Sequence, residues 1–333
     1  MPAAARLVWR LHLHLRAPAA GKRKQRAAAR HRHHVGRVMQ AGLSQAERAR
    51  RLHALHHAQA LFIIGSVWDA ASAVMFEQEG FQALGTSSAG IAYAHGLPDG
   101  EVAPRKDMMA AIARIAHSVS IPVSADLESG YGASPNDVAE TCRLAMEAGA
   151  VGVNLEDALP GATTLTDLER QCDIIRAVRL AADRCGIPLF INARTDAFWL
   201  SLWDAPRRLS ESIARCQAYV DAGADGVFVP GALDPSTLSS LVRATAAPLN
   251  VLAMPGCPDI ATLQALGVRR LSQGSGPARA MLGLARRIAR ELLDQGRYTS
   301  FHQGSIGYAQ ANALFADRSV SASTTPPLKA SPE

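Results

Sequence analysis

From residue 61 onward, short apolar runs alternate with longer segments whose apolar positions recur with the period of a helix. Short apolar runs bounded by turn-forming residues are typical of buried strands, and apolar positions spaced three or four apart are typical of helices that pack on one face. The pattern therefore predicts strands that alternate with helices. The eight candidate strands lie at 61–66, 81–86, 121–126, 150–156, 187–194, 224–230, 248–254 and 268–274.

Amphipathic segments fill the intervals, and several end in Ala-Gly just before the next strand, as helix C-termini do. Eight strand–helix units over about 235 residues predict an α/β fold, specifically a (β/α)8 TIM barrel. A doubly wound open sheet is the rival architecture, but it usually has fewer strands. No G-x-G-x-x-G sequence opens a helix after the first strand, which removes the main support for its dinucleotide-binding version. The clearest helical segments are 105–118, 135–148, 166–184, 207–222 and 277–294.

Both ends of the chain depart from this pattern. Residues 1–38 contain ten Lys or Arg and no Asp or Glu, and we expect this basic N-terminal extension to be disordered. It has three interpretations: a transit peptide, an interaction arm, or residues upstream of the true start, which we favour. We predict the barrel, as the catalytic domain, at 39–297, with a lead-in helix at 45–58. The Ser/Thr/Pro-rich tail at 298–333 is expected to be partly disordered.

The net charge of +6 comes from the basic extension alone. From residue 39 onward the chain has 25 Lys or Arg and 29 Asp or Glu, with no basic stripe. We therefore expect no specific nucleic-acid partner. Non-specific association with nucleic acid through the extension is the non-enzymatic alternative.

No run of about 18 apolar residues is free of charges or helix breakers, so we expect neither a membrane span nor a secretory signal. The five cysteines show no C-x-x-C spacing, and their odd number suits a disulfide framework poorly. These observations predict a cytoplasmic protein.

Acidic side chains follow two neighbouring predicted strands. Asp126 and Glu128 end the third strand, and Glu156 and Asp157 end the fourth. The carboxyl ends of barrel strands carry the chemistry in this architecture, and uncompensated charges meeting there would repel one another. Oxygen ligands without His or Cys favour a hard cation, so we predict Mg²⁺, with Mn²⁺ as the alternative metal, bound by Asp126, Glu128 and Glu156. The alternative is that one or two of these acids cap helices or pair with arginines.

Arg194 ends the fifth predicted strand and is a natural bidentate partner for a substrate carboxylate. Its alternative role is an ion pair with Glu156 or Asp157. Gly130-Tyr131-Gly132 follows Glu128 and suits either a mobile lid or a plain turn.

These motifs, in this order between about residues 42 and 297, resemble the isocitrate lyase/phosphoenolpyruvate mutase superfamily. The resemblance is carried by Trp68-Asp69-Ala70-Ala71-Ser72, Gly96-Leu97-Pro98-Asp99-Gly100, Asp126-Leu127-Glu128-Ser129-Gly130-Tyr131-Gly132, Asn154-Leu155-Glu156-Asp157, Asn192-Ala193-Arg194 and Gly223-Ala224-Asp225.

The resemblance implies a (β/α)8 barrel with a Mg²⁺-dependent site that makes or breaks a bond next to an α-oxo or α-hydroxy carboxylate through a pyruvate-like enolate. It implies that Asp126, Glu128 and Glu156 surround the metal, some of them through water. The residues implied to act in catalysis are Glu156, Arg194 and Tyr131, and those implied to bind substrate are Trp68, Thr86, Ser87, Ser88, Asp99 and Arg194.

Two departures from the family bear on the reaction. Isocitrate and methylisocitrate lyases carry a K-K/R-C-G-H lid, whereas Glu156 is followed here by DALPGATTLTD, which has no Cys, His or Lys. Phosphoenolpyruvate mutases place an Asn eight residues beyond that glutamate and a His after the sixth strand, where this chain has Thr164 and 228–231. The chain therefore fits neither the isocitrate and methylisocitrate lyase activities nor the phosphoenolpyruvate mutase activity.

The leading hypothesis is a Mg²⁺-dependent lyase that cleaves a C–C bond in a small α-oxo or α-hydroxy carboxylate. The alternatives are an oxaloacetate-type decarboxylase and a phosphonate-related mutase of the same superfamily. Tyr93, Tyr131 or Thr164 could relay a proton, or could serve only in packing. The resemblance and the mainly apolar last helix also predict a homo-oligomer, a dimer or a tetramer.

Overall fold

Nine parallel strands form one sheet in the computed structural model of the protein, which describes residues 43–316. Each of the eight predicted apolar runs contains a strand, and the first run contains two because it is broken at Ile64. The strands are β1 (Phe62–Ile63), β2 (Gly65–Val67), β3 (Leu84–Thr86), β4 (Val123–Asp126), β5 (Gly152–Glu156), β6 (Phe190–Arg194), β7 (Gly226–Phe228), β8 (Leu249–Leu252) and β9 (Arg270–Ser272).

The break at Ile64 lets the first run pair with both ends of the sheet. β1 pairs with β9, and β2 pairs with β3. The Ile64 N–H donates to the carbonyl of Leu271 (3.1 Å), and the next N–H, of Gly65, donates to the carbonyl of Ala83 (3.2 Å). The sheet therefore closes, and the predicted (β/α)8 TIM barrel is confirmed.

Helices follow the strands on the outside of the barrel, and the five clearest predicted helices are all present within two residues of their predicted ends. The helices are α1 (Gln45–His56), α2 (Ala70–Gln78), α3 (Ser88–Ala94), α4 (Arg105–Ser118), α5 (Pro135–Glu147), α6 (Leu168–Cys185), α7 (Ala205–Asp221), α8 (Pro235–Ala244), α9 (Ile260–Ala265), α10 (Gly276–Gln295), α11 (Thr299–His302) and α12 (Tyr308–Ala313).

Local sequence explains where these helices begin and end. Ser134 caps α5 through a capping box with Asp137, and a proline occupies the first turn. Asp167 caps α6, which ends at Gly186 in the left-handed conformation (φ 66°). These signals are local, which is why the sequence pattern locates the helices well.

Helix α1 closes the amino-terminal end of the barrel. Its Leu52 is fully buried in a cluster with Phe62, Ile64 and Phe190, which lie at or near the starts of β1 and β6. The ring of His56 stacks on that of Phe190 with centroids 3.8 Å apart. The barrel is thus plugged with apolar and aromatic side chains at one end and open at the other.

Alternation along the strands separates an apolar outer face from a polar inner face. Val153 and Leu155 of β5 are fully buried in the large cluster beneath the outer helices. Asn154 and Glu156, on the opposite face of the same strand, line the interior cavity. The polar inner positions therefore deliver their side chains to the open end of the barrel.

The predictions for residues 1–38 and for the tail beyond 316 lie outside the described residues. The described part of the predicted tail contains α11 and α12. Of the helices within residues 43–316, none combines the length and the apolar character needed to cross a membrane.

Candidate active site

A cavity of about 340 Å³ opens at the carboxyl ends of the strands. It collects side chains from almost every strand end, as expected for this architecture. Eight of the residues singled out in the sequence line it: Thr86, Ser87, Ser88, Asp99, Asp126, Glu128, Glu156 and Arg194.

Asp126, the last residue of β4, is held by donors from α3 and β5. The backbone N–H and hydroxyl of Ser88 donate to its Oδ2 at 3.1 and 2.9 Å, and Asn154 Nδ2 lies 3.4 Å from its Oδ1. Its own N–H donates to the Thr86 hydroxyl (2.9 Å). The Ser87 hydroxyl instead accepts from the Gly90 N–H and caps α3. The segment 86–88, which the resemblance implies binds substrate, thus orients Asp126 in this structure.

Glu128 lies two residues beyond β4 in the left-handed backbone conformation (φ 53°), which is strained for a residue with a side chain. Its carboxylate accepts from the Glu101 N–H (2.7 Å) and from the Tyr131 hydroxyl (3.0 Å). Burial, with repulsion from Asp126 and Asp99, raises the pKa of Glu128 to about 7. This carboxyl therefore changes its charge close to neutral pH.

The carboxylate of Glu101 holds the Glu128 loop in place. Its Oε1 accepts from the N–H (3.0 Å) and hydroxyl (2.6 Å) of Ser129 and from the N–H of Tyr131 (3.1 Å). Glu101 and Tyr131 are themselves left-handed, each with a φ of 54°. Glu101 directly follows the Gly96–Gly100 motif, but nothing in its local sequence signals that it contacts a loop nearly thirty residues away.

Gly130-Tyr131-Gly132 is a packed turn rather than an open one. Gly130 has a φ of +108°, and a side chain at either glycine would collide with Val138 or Asp137 of α5. This packing agrees with the plain turn, which was one of the two interpretations of this motif. Burial and the neighbouring Glu128 raise the pKa of Tyr131, so that it remains a neutral hydrogen-bond donor.

Arg194, at the end of β6, bridges two acids. Its Nη1 lies 2.6 Å from Glu156 Oε2, and its Nε lies 2.6 Å from Asp196 Oδ1. The ion pair with Glu156 was one of the two roles considered for this arginine, whereas Asp196 was not foreseen as its partner. Burial alone would lower the pKa of Arg194, but the two acids raise it above its ordinary value. Burial raises the pKa of Glu156, and the contact with Arg194 opposes that rise.

Asp157 holds Asp196, the second acid that pairs with Arg194, in position. It is fully buried, and it accepts hydrogen bonds from Tyr219 (2.7 Å) and from Arg215 (3.1 Å), both on α7. Its other oxygen accepts from the N–H of Asp196 (2.9 Å). Asp157 therefore fixes the position of Asp196, and through it that of Arg194.

Arg270 is a functional candidate that the sequence analysis missed. It lies on β9, is 1% exposed, and lines the floor of the cavity. Its Nη2 donates to Asn154 Oδ1 (3.3 Å), but its Nε and Nη1 contact no acceptor among residues 43–316. Burial lowers the pKa of Arg270 to about 10. An arginine within an apolar strand, at the position that alternation turns inward, was the available signal.

Asn154 connects Arg270 to Asp126. Its Oδ1 accepts from Asn192 Nδ2 (2.9 Å) and from Arg270, so its Nδ2 must face Asp126. The buried guanidinium of Arg270 and the candidate metal ligand Asp126 are therefore linked through the side-chain amide of Asn154.

Trp68 and Tyr131 are not brought into the lining of the cavity. Trp68 packs against the hydrophobic core and beside Gly90, and its N–H donates to the Ser72 hydroxyl (3.1 Å) at the start of α2. Trp68 therefore does not line the cavity in this structure, and its contact with the substrate stays a prediction. Tyr131 reaches the cavity only through its hydrogen bond to Glu128.

The carboxylates form a loose cluster rather than a compact set of ligands. Within residues 43–316, no three His, Cys, Asp or Glu side chains converge closely enough to hold one metal ion directly. Repulsion from Asp126 nevertheless contributes to the raised pKa of Asp99, of Glu128 and of Glu156. An all-oxygen cluster of this kind fits a cation that keeps most of its water ligands, which is the behaviour of Mg²⁺.

Comparison with known proteins points to one family. The family model described as phosphoenolpyruvate phosphomutase matches residues 52–293. A Mycobacterium tuberculosis protein is 37% identical over 274 residues, which cover 82% of this chain and 99% of that protein. The oxaloacetate decarboxylase of a Bradyrhizobium strain is 32% identical over 65% of this chain and 75% of its own length. The 2-methylisocitrate lyase of Escherichia coli is 33% identical over 50% of this chain and 56% of its own length.

Solved structures give the same result. A lyase/mutase-class protein of Burkholderia cenocepacia superimposes with a TM-score of 0.76 at 39% identity, covering 82% of this chain and 96% of its own. 2,3-Dimethylmalate lyase superimposes with a TM-score of 0.69 at 27% identity, covering 81% of this chain and 93% of its own. Phosphonopyruvate hydrolase in complex with oxalate and Mg²⁺ superimposes with a TM-score of 0.70 at 25% identity, covering 81% of this chain and 95% of its own.

The raised pKa values predict how stability depends on pH. A carboxyl whose pKa is higher in the folded state stabilises the protein fully below its unfolded pKa, and that contribution is lost as the pH rises through the folded value. In EDTA, the free energy of unfolding should therefore fall by about 1–3 kcal/mol between about pH 5 and pH 8, largely through Glu128. Urea denaturation followed by circular dichroism measures this fall.

Glu128→Gln is the matched control, because it keeps the shape of the side chain and removes its titration. It should flatten the pH profile, and added Mg²⁺ should flatten that of the wild type. A wild-type profile in EDTA that rises over this range would contradict the analysis.

The isolated charge of Arg270 predicts opposite effects on two ligands. Arg270→Met removes a positive charge near Asp126, so Mg²⁺ should bind roughly three- to tenfold more tightly, and oxalate in the presence of Mg²⁺ should bind more weakly. Isothermal titration calorimetry measures both affinities. Arg269→Met is the control, since Arg269 contacts the carbonyls of Ala58 and Gln59 instead. If the two variants bound Mg²⁺ and oxalate with equal affinities, the proposed effect of the Arg270 charge on both ligands would be refuted.

Proposed function

The chain belongs to the phosphoenolpyruvate mutase family of the isocitrate lyase/phosphoenolpyruvate mutase superfamily, and on that premise we propose that it is a Mg²⁺-dependent lyase. Its substrate is a small α-oxo or α-hydroxy carboxylate, in which it cleaves the C–C bond that leaves a pyruvate-type enolate. The observation that carries this proposal is the meeting of Asp126, Glu128, Glu156 and Arg194 in one cavity at the carboxyl ends of the strands.

Asp126, Glu128 and Glu156 would hold the metal, largely through its water ligands, because the three carboxylates do not converge on one point. A bound divalent cation would withdraw electrons from the oxo-carboxylate and lower the energy of the enolate. Mn²⁺ is the alternative metal, since it accepts the same oxygen ligands.

The remaining residues orient the substrate and the acids. Arg194 has one terminal nitrogen beyond those that contact Glu156 and Asp196, and it would use this group to hold the substrate carboxylate. Thr86, Ser87 and Ser88 also line the cavity and would offer N–H and hydroxyl groups to that carboxylate. Asp99 would contact the substrate from the outer shell of the metal site. Tyr131 acts as a positioning residue, because its hydroxyl reaches the cavity only through Glu128.

In the cleavage step, the electron pair of the breaking C–C bond would move onto the oxo-carboxylate fragment, and the leaving fragment would lose its hydroxyl proton. Glu128, which lines the cavity and accepts a hydrogen bond from Tyr131, would accept this proton. The enolate would then be protonated to give the free oxo acid.

Decarboxylation of an oxaloacetate-type acid is a second candidate. It needs the same enolate and the same acids, and the similarity to the Bradyrhizobium oxaloacetate decarboxylase supports it. The five cysteines, all of them free, support our proposal that the protein works in the cytoplasm.

We also propose a homo-oligomer, a dimer or a tetramer, assembled through α10. Ala278 is the one buried residue in this 20-residue helix, and Met281, Leu282 and Leu293 are 57%, 53% and 86% exposed. Apolar surface of this extent marks interaction sites in soluble proteins. Light scattering after gel filtration should give a dimer or tetramer mass, and Leu293→Arg should shift it toward the monomer. A wild-type monomer would contradict the proposal.

The test of the reaction avoids the need to know the leaving fragment. The full chain is incubated in D₂O with Mg²⁺ and pyruvate or 2-oxobutyrate, and NMR follows the loss of the C3 proton signals. Exchange should stop with EDTA and fall about 100-fold or more in Glu156→Gln. Glu169→Gln, at an exposed position on α6, should retain it.

Exchange no faster than with metal alone, in a protein shown to bind Mg²⁺, would contradict the enolate mechanism for these acids.

A further inference from the structure

The cavity has two chemically different walls. The residues from β2 to β4 and the loops after them are mostly hydroxyl-bearing or acidic. The lining residues beyond the end of β5, those at or beyond the end of β7, and those of the β6–α7 loop that follow Asp196 are apolar. This apolar wall consists of Leu159, Trp199, Leu200, Phe228 and Pro230.

Two large side chains of the apolar wall are exposed at the mouth of the cavity. Leu159 is 54% exposed and Trp199 is 51% exposed. Large apolar side chains that line a concave site and remain in contact with water usually gain burial when a ligand enters. Their exposure therefore indicates a ligand with apolar surface.

The loop that carries Leu159 is held in place over the cavity. Its ends are joined by a β-bridge between Ala158 and Leu165, and the Ala162 N–H donates to the Leu159 carbonyl (2.9 Å) across a tight turn. Gly161 occupies the left-handed position of that turn (φ 71°), as Pro-Gly turns require. The loop therefore cannot withdraw Leu159 into the core without breaking this turn.

The apolar wall is continuous with the proposed carboxylate site. The guanidinium carbon of Arg194 lies 6.0 Å from the ring centroid of Trp199 and 5.6 Å from that of Phe228. A molecule whose carboxylate is held by Arg194 would place its next carbons against these two rings.

The apolar wall offers no partner to a second negative charge. Among the described residues that line the cavity, the cationic side chains are Arg194 and Arg270. Arg194 already pairs with two acids, and Arg270 lies on the floor beneath Asn154. A carboxylate against Leu159 and Trp199 would lose water without gaining a charged partner, which is unfavourable.

We infer that the substrate carries an uncharged alkyl or aryl substituent that lies against Leu159, Trp199 and Phe228, rather than a second carboxylate at that end. The inference rests on the proposed function, because it takes the oxo-carboxylate head to be held near Asp126 and Arg194. It narrows the substrate class to α-oxo or α-hydroxy acids with an apolar tail.

A homologous series of ligands tests the inference. Affinities of the full-length protein in the presence of Mg²⁺ are measured by calorimetry for pyruvate, 2-oxobutyrate, 2-oxovalerate and 2-oxohexanoate. Each added methylene should tighten binding about three- to fourfold, the value for burying one CH₂ group. 2-Oxoglutarate matches the chain length of 2-oxovalerate but ends in a carboxylate, and it should bind about tenfold more weakly or worse.

Variants test whether the apolar wall causes the dependence of affinity on chain length. Leu159→Ala should reduce the gain per methylene, and Leu159→Arg should reverse the preference between 2-oxovalerate and 2-oxoglutarate. Leu180→Ala is the matched control, because Leu180 is 51% exposed on α6 and does not line the cavity. That variant should show the wild-type series.

The outcomes separate the two proposals. If pyruvate binds with Mg²⁺ but chain length has no effect, or if 2-oxoglutarate binds as tightly as 2-oxovalerate, the apolar-tail inference is overturned and the proposed function stands. If no 2-oxo acid binds in the presence of Mg²⁺, both are overturned.

Discussion

Repulsion among buried carboxylates is the constraint around which the open end of this barrel is organised. Asp126, Glu128, Glu156 and Asp196 lie in one cavity with little access to water, where like charges interact strongly. Arg194 compensates two of them directly, and hydrogen bonds from Ser88 and Asn154 hold Asp126. The repulsion that remains is the part that a divalent cation would relieve.

The scaffold resists this repulsion because two of the acids are fixed by contacts outside the cavity. Asp157 and its partners on α7 fix Asp196, and Glu101 fixes the loop that carries Glu128. Three non-glycine residues in the left-handed conformation are tolerated here because these hydrogen bonds hold them there. At the opposite end of the barrel, α1 supplies an apolar plug, so that the polar interior opens in one direction only.

The polar and apolar walls of the cavity are suited to different parts of a substrate. With a divalent cation held among its acids, the charged side would suit the part of a substrate where negative charge develops, and the apolar side suits a part that takes no role in the chemistry. Contacts with that second part can provide binding energy and specificity without competing for the metal-site acids. The loops after β5, β6 and β7 form the apolar side, and those after β5 and β7 depart from the family motifs. Specificity can change in these loops without disturbing the acids.

The amino-acid sequence by itself determined the strand and helix order, the closed-barrel class and the grouping of the acids at the strand ends. These features follow from periodicity, capping and the parallel direction of the strands, all of which are local or repeat along the chain. The tertiary structure decided that Asp196 shares Arg194, that Glu101 holds the Glu128 loop and that Trp68 lies outside the cavity. It also decided that Arg270, at the cavity floor, has no charged partner among residues 43–316. Alternation shows which face of the sheet a side chain takes, but its partners depend on strand register and loop conformation, which only long-range packing fixes.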